Sequence, residues 1–162
     1  MTKNKCRYVY RWCAALMLWC GWALCYGAVT DGEREVVNLN REWTYQRGDF
    51  PGAEQTGYDD SGWEHIGLPH SFSIPYFMLK DFYTGYGWYR KTLELSKKDL
   101  KKDLFLEFDG VFQEAEVYVN GELAGAHRGG YTGFNVRITP YARRGQNQIA
   151  IRVNNLWQPC LL

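Results

Sequence analysis

The side chains best suited to contact a ligand lie in one short aromatic stretch. Eight aromatic residues occur within 18 positions, namely Phe72, Tyr76, Phe77, Phe82, Tyr83, Tyr86, Trp88 and Tyr89. Aromatic rings stack on the apolar C–H face of a pyranose, and tyrosine and tryptophan also hydrogen-bond at the ring edge. Large β domains use the same side chains for packing, which is the role expected of Trp88 and Tyr89. The loop 73–86 is the better candidate for function, with Tyr83 and Tyr86 as candidate substrate-binding residues.

His70 is a third candidate substrate-binding residue. It directly follows Pro69, and its imidazole can either donate or accept a hydrogen bond. It could therefore contact a sugar hydroxyl, or it could hold the turn that Pro69 introduces. Both roles remain open on the sequence alone.

The acidic residues do not form a catalytic pair that the sequence supports. Glu114 and Glu116 are two positions apart, so they would share one face of a strand. Two carboxyl groups on one face superficially resemble a paired-acid catalytic site. However, Asn120 and Arg152 on neighbouring segments favour a solvated sheet face for these glutamates. We therefore assign no catalytic residue.

No metal site and no cofactor are predicted. The chain has no Cys/His spacing typical of zinc and no glycine-rich nucleotide-binding loop. Asp59 and Asp60 precede Ser61 and Gly62, a combination typical of an ordinary turn. Four of the five cysteines lie in the first 27 residues, and Cys160 is the fifth. We therefore expect no disulfide within residues 28–162.

Residues 1–27 are typical of a secretory signal peptide. An uncharged, mostly apolar run over residues 12–26 follows a basic segment that contains Lys3, Lys5, Arg7 and Arg11. Small residues at Gly27 and Ala28 place the expected cleavage site there, and an uncleaved signal anchor is the alternative. We expect export to the bacterial periplasm or secretion, without membrane attachment after cleavage.

The charge of the remaining chain argues against a nucleic-acid partner. Of the 19 basic residues, four would leave with the signal peptide, so that 15 remain against 18 acidic residues, a net charge of −3. Nucleic-acid binding requires a basic face. No dense cluster of lysine and arginine reverses this balance.

The hydrophobic pattern beyond residue 27 predicts an all-β fold. Apolar and polar residues alternate over residues 104–108, 117–119, 134–138 and 149–153, which is typical of strands with one face on a core. Asn120-Gly121 is a strong hairpin signal, because both residues tolerate positive φ. Short strands separated by turns indicate a β-sandwich. The pattern alone does not distinguish a jelly roll from an immunoglobulin-like sandwich.

A resemblance to a known family makes that distinction. The segments that carry it are 58–63, 68–70, 87–91, Phe108-Asp109-Gly110-Val111, 115–121, His127-Arg128-Gly129-Gly130-Tyr131, 134–139 and 147–155. Together, and in this order, they resemble the N-terminal jelly-roll domain of glycoside hydrolase family 2, the β-galactosidases, β-glucuronidases and β-mannosidases. The resemblance extends over residues 38–157. It implies a jelly-roll β-sandwich, also described as galactose-binding-domain-like, over residues 28–162.

The resemblance also implies where the chemistry would take place. Enzymes of this family resemble retaining glycosidases whose two glutamates lie on a (β/α)8 barrel that follows the sandwich domains. A barrel needs roughly 200 residues or more, so this chain of 162 residues cannot include one. We expect a domain that is inactive alone, that meets a β-glycoside through the missing barrel, and that packs on the missing domains. In β-galactosidases of the family, the loop that corresponds to residues 73–86 reaches towards the mouth of the barrel.

Two other functions are compatible with the sequence. One is a free-standing secreted carbohydrate-binding module, and the other is a purely structural domain that braces a barrel without touching sugar. The segment after Asn155 follows what resembles a late strand of the family domain. We therefore expect the sandwich to be incomplete at its C-terminal end, as in a truncated or frameshifted gene product or a fragment of a longer protein.

Overall fold

The computed structural model describes residues 34–73 and 82–156. The predicted signal peptide, Tyr76, Phe77 and Cys160 lie outside these residues. The described strands all belong to one compact unit that begins at Asn38. Residues 34–37 belong to a separate unit and have no regular secondary structure.

The compact unit is built from short strands joined by turns. Its strands are β1 (Trp43–Arg47), β2 (Glu64–Ile66), β3 (Tyr86–Leu95), β4 (Phe105–Phe108), β5 (Glu114–Val119), β6 (Glu122–Arg128), β7 (Phe134–Arg137) and β8 (Gly145–Asn154). A 3-10 turn at Asp99–Lys101 lies between β3 and β4. No helix that could span a bilayer occurs among the residues that the structure describes.

The strands form two antiparallel sheets. The larger sheet has six strands in the order β2-β1-β3-β8-β5-β6, and β4 pairs with β7 in the smaller sheet. The centre of the six-stranded sheet is the long pairing of β3 with β8, in which Tyr86 lies opposite Asn154 and Leu95 opposite Gly145. The predicted all-β sandwich is confirmed.

The core lies between the two sheets and follows the predicted alternation. Leu106 of β4 and Val136 of β7 are buried in one cluster with Val117, Ile149 and Ile151 of the larger sheet. Complete burial of an aliphatic side chain of this size contributes about 1.5–3 kcal/mol.

The predicted hairpin at Asn120-Gly121 joins β5 to β6. Asn120 has φ 55° and Gly121 has φ 90°, the left-handed pair that a two-residue hairpin of this twist requires. The Asn120 side chain also donates to the carbonyl of Tyr141 at 2.9 Å and accepts from the amide of Gln148 at 3.0 Å. The hairpin is therefore tied to the strand beside it.

The opposite face of the six-stranded sheet is covered by residues 48–63, which we call the outer layer. The turns within it are closed by backbone hydrogen bonds, including one from the amide of Gln55 to the carbonyl of Gly52 at 2.9 Å. Ala53 and Trp63 of the outer layer pack on Trp88 of β3 and Ala150 of β8. Trp88 thus has the packing role that the sequence predicts for it.

Candidate functional site

Two of the predicted site residues, Tyr83 and Tyr86, lie at one end of the six-stranded sheet, where β3 begins and β8 ends. We call this the sandwich end. Four side chains form a row across it, because Tyr86 pairs with Asn154, Asn154 with Glu114, and Glu114 with Arg128. The Asn154 amide donates to Glu114 at 3.1 Å, and Arg128 forms an ion pair with Glu114 at 3.0 Å.

Tyr83 is held from three directions. Its hydroxyl donates to the carbonyl of Tyr86 at 3.0 Å, and its amide donates to the hydroxyl of Ser73 at 3.2 Å. The guanidinium carbon of Arg47 lies 4.8 Å from the centre of the Tyr83 ring, and Arg47 also donates to the carbonyl of Phe72. One face of the ring is therefore occupied, and the hydroxyl already has a partner.

Tyr86 has a similar arrangement with a different arginine. The guanidinium carbon of Arg152 lies 4.2 Å from the centre of the Tyr86 ring. Arg152 donates to both carboxylate oxygens of Asp49, at 2.9 and 2.6 Å, and to Glu116 at 3.2 Å. The guanidinium is thus fixed by two acidic residues, and it covers one face of Tyr86.

Asn155 fixes the backbone that carries these tyrosines. Its side-chain oxygen accepts from the amide of Gly85 at 2.6 Å, and its side-chain nitrogen donates to the carbonyl of Tyr83 at 2.9 Å. From the sequence alone, Asn155 is predicted only to end a late strand. The sequence signal for these contacts is the position of Asn155 directly after β8. A side chain at the end of that strand can reach the loop before β3.

His70 lies beside the aromatic core rather than on an open surface. Its Nδ1 is 3.0 Å from the hydroxyl of Tyr89, and its ring centre is 4.5 Å from that of Tyr45. Burial lowers the pKa of His70, although the nearby Glu64 carboxylate opposes this shift. The imidazole is therefore neutral at neutral pH and has a partner inside the protein. Contact between His70 and a sugar stays a prediction.

The two glutamates of β5 are paired with cations rather than with each other. Glu114 binds Arg128, and Glu116 binds Arg152. Both glutamates lie on the face away from the core, as the sequence predicts. Within residues 34–73 and 82–156, no group of three or more histidine, cysteine or acidic side chains could hold a metal ion.

A buried charge that sequence reasoning missed joins the outer layer to the sheet. Arg90 of β3 is only 1% exposed, and its Nε donates to Asp60 at 3.0 Å. Its Nη1 also donates to the carbonyls of Ala53 and Gln55, and Asp60 accepts a second bond from Thr44 at 2.9 Å. Asp60 lies in the predicted turn, where its carbonyl accepts from the amide of Trp63 at 3.0 Å, but its carboxylate has the further role of pairing with the buried Arg90. The sequence signal for this ion pair is the position of Arg90 directly after Trp88 and Tyr89 in a strand. An arginine that is buried with such neighbours requires a partner.

Comparison with known proteins identifies the family. A family described as glycosyl hydrolases family 2, sugar binding domain, matches residues 33–162. The chain belongs to this family. The predicted resemblance to the N-terminal domain of family 2 is thereby confirmed. The six-stranded and two-stranded sheets form its jelly-roll sandwich.

Named relatives support the same assignment. The domain is 35% identical over 139 residues to a putative β-glucuronidase of Formosa agariphila, a match that covers 80% of the chain and 13% of that protein. It is 35% identical over 136 residues to β-galactosidase BoGH2A of Bacteroides ovatus, covering 78% of the chain and 16% of that protein. The crystal structure of Bacteroides uniformis β-glucuronidase matches with a TM-score of 0.72 at 35% identity, over 75% of the chain and 15% of that structure. The chain thus spans less than a fifth of the length of these relatives.

Replacing Asp60 with alanine is expected to destabilise the domain by about 3 kcal/mol, because it leaves the buried Arg90 without its carboxylate. Urea unfolding of the purified chain measures this change. Asp59→Ala is the matched control, since Asp59 accepts one bond from the amide of Ser61 in an exposed turn. We expect a much smaller loss for the control, and equal losses for the two variants would contradict the role of Asp60.

Proposed function

We propose that this chain is the N-terminal carbohydrate-binding-like domain of an exported family 2 β-glycosidase, an enzyme that hydrolyses O-glycosidic bonds. The family match over residues 33–162 carries the proposal. The names of the relatives, β-glucuronidase and β-galactosidase, leave the glycoside itself open between these two classes.

In this proposal the domain supplies substrate contacts and the remainder of the enzyme supplies the chemistry. A retaining mechanism needs two carboxyl groups about 5 Å apart, one of them free to act as a nucleophile. Glu114 and Glu116 are each engaged by an arginine, which does not suit that role. The catalytic glutamates would come from a barrel outside this chain.

The sandwich end supports a positioning role for the loop 73–86. Arginines occupy one face of Tyr83 and one face of Tyr86, and Asn155 holds the backbone between these residues. Each ring therefore has at most one face left for stacking on a sugar. We infer that the arginines and Asn155 position Tyr83 and Tyr86 at the substrate site.

A chimera tests whether the domain serves a glycosidase in this way. The matching segment of BoGH2A would be replaced by residues 33–162 of this chain, and hydrolysis of p-nitrophenyl β-galactoside would be measured. We expect the chimera to be active and the chain alone to be inactive. Tyr83→Ala and Tyr86→Ala, which remove the rings whose free faces are proposed to meet the sugar, should raise KM.

The control for these variants is Phe105→Ala, which removes an exposed ring on β4 and should leave the kinetics unchanged. An active chimera whose tyrosine variants all keep normal kinetics and stability would favour a purely bracing domain. A folded but inactive chimera, together with glycan binding by the chain alone, would favour a free-standing binding module. Either result would contradict the proposed role.

Export forms the second part of the proposal and is supported by the basic segment and apolar run of residues 1–27. Expression of the full chain in a Gram-negative host, followed by cell fractionation, tests it. We expect the protein in the periplasm or medium, with an N-terminus at about residue 28 by mass spectrometry. A chain that keeps residues 1–27 and stays with the membrane fraction would support the uncleaved anchor instead.

A further inference from the structure

Two aromatic side chains at the sandwich end contact each other and are nevertheless exposed. Phe112, between β4 and β5, is 44% exposed, and Tyr131, between β6 and β7, is 91% exposed. Their ring centres are 5.7 Å apart, with an angle of 63° between the ring planes. The rings thus form two walls of a corner, which we call the aromatic corner.

Backbone contacts hold the two loops of the aromatic corner together. The amide of Gly129 donates to the carbonyl of Gln113 at 2.8 Å, and the amide of Gln113 donates to the carbonyl of Asn154 at 3.1 Å. The Phe112 ring lies directly on Gly130, where a Cβ would approach within 2.3 Å of the ring. Glycine at this position is therefore what allows the ring to take its place.

A stack of rings supports the loop that carries Tyr131. His127 stacks on Phe134 with ring centres 4.1 Å apart, and Phe134 stacks on Phe108 at 4.6 Å. The imidazole Nε2 is also 3.1 Å from the hydroxyl of Thr132, one residue beyond Tyr131. The backbone beside Tyr131 is thus held by contacts within the protein, which reduces the entropic cost of ordering this loop on binding.

The size and surroundings of the aromatic corner fit a sugar ring. The exposed face of one tyrosine ring is comparable in size to the C–H face of a pyranose. The polar residues Asp109, Arg128 and Thr132, each within three positions of Phe112 or Tyr131 along the chain, are exposed. Arg128 is paired with Glu114, and the Thr132 hydroxyl lies beside His127. An apolar wall with hydrogen-bonding groups at its edge is the arrangement that recognises a pyranose.

We propose that the aromatic corner is a carbohydrate subsite, in which the C–H face of one pyranose of a β-glycoside stacks on Tyr131. The proposal rests on the carbohydrate-binding role given under Proposed function and assigns that role to a specific site. This subsite is separate from the loop 73–86, where arginines already occupy one face of the Tyr83 ring and one face of the Tyr86 ring.

NMR titration of the 15N-labelled chain with methyl β-galactopyranoside and methyl β-glucuronide tests this subsite. We expect the amides of residues 110–113 and 129–133 to shift. Tyr131→Ala should weaken binding about tenfold through loss of the stacked ring, whereas Tyr131→Phe should bind within about twofold of the wild type. Phe105→Ala, which removes an exposed ring elsewhere, is the control and should bind normally.

Three results would overturn the subsite. Shifts confined to the amides near Tyr83 and Tyr86 would place the sugar elsewhere and leave the proposed function intact. No shift with either glycoside would exclude a subsite on this chain, while the activity of the chimera would still decide the proposed function separately. Self-association that Tyr131→Ala abolishes would show a protein contact in place of a sugar site.

Discussion

The arrangement of the outer layer depends on one buried charge, the guanidinium of Arg90. A guanidinium removed from water is strongly destabilising unless a carboxylate and further acceptors surround it. Here the acceptors are Asp60 and the carbonyls of Ala53 and Gln55, all in residues 48–63. The arginine therefore stays buried only while the outer layer lies on the sheet. Because of this dependence, Arg90 fixes the position of a segment that has no strand or helix of its own.

The outer layer in turn reaches the sandwich end through Asp49. Asp49 binds Arg152 through both carboxylate oxygens and accepts a bond from the indole of Trp88 at 3.2 Å. Arg152 lies over the ring of Tyr86, the first residue of β3. A continuous set of contacts thus runs from the outer layer to the loop proposed to face the substrate. Under the proposed function, the loops at this end of the family 2 jelly roll would carry the recognition.

The features that the sequence predicted are local ones. The alternation around Leu106 and the Asn120-Gly121 hairpin depend on neighbouring residues, so they can be read without knowing the strand order. The pairing of Arg152 with Asp49 joins residues 103 positions apart, and that of Arg90 with Asp60 joins residues 30 positions apart. These pairs form only when β3 and β8 are paired in the correct register and the outer layer is packed on them. The arginines on the tyrosine rings could not be foreseen for the same reason.

Hydrogen–deuterium exchange of the wild type and Asp60→Ala tests most directly whether Arg90 couples the outer layer to the sandwich end. The account predicts faster exchange over residues 48–63 and also over residues 82–86 and 152–155, with little change in β4 and β7. Faster exchange confined to residues 48–63 would contradict the coupling, because the outer layer would then open without disturbing the loop. An equal increase in every strand would show a general loss of stability instead and would also contradict it.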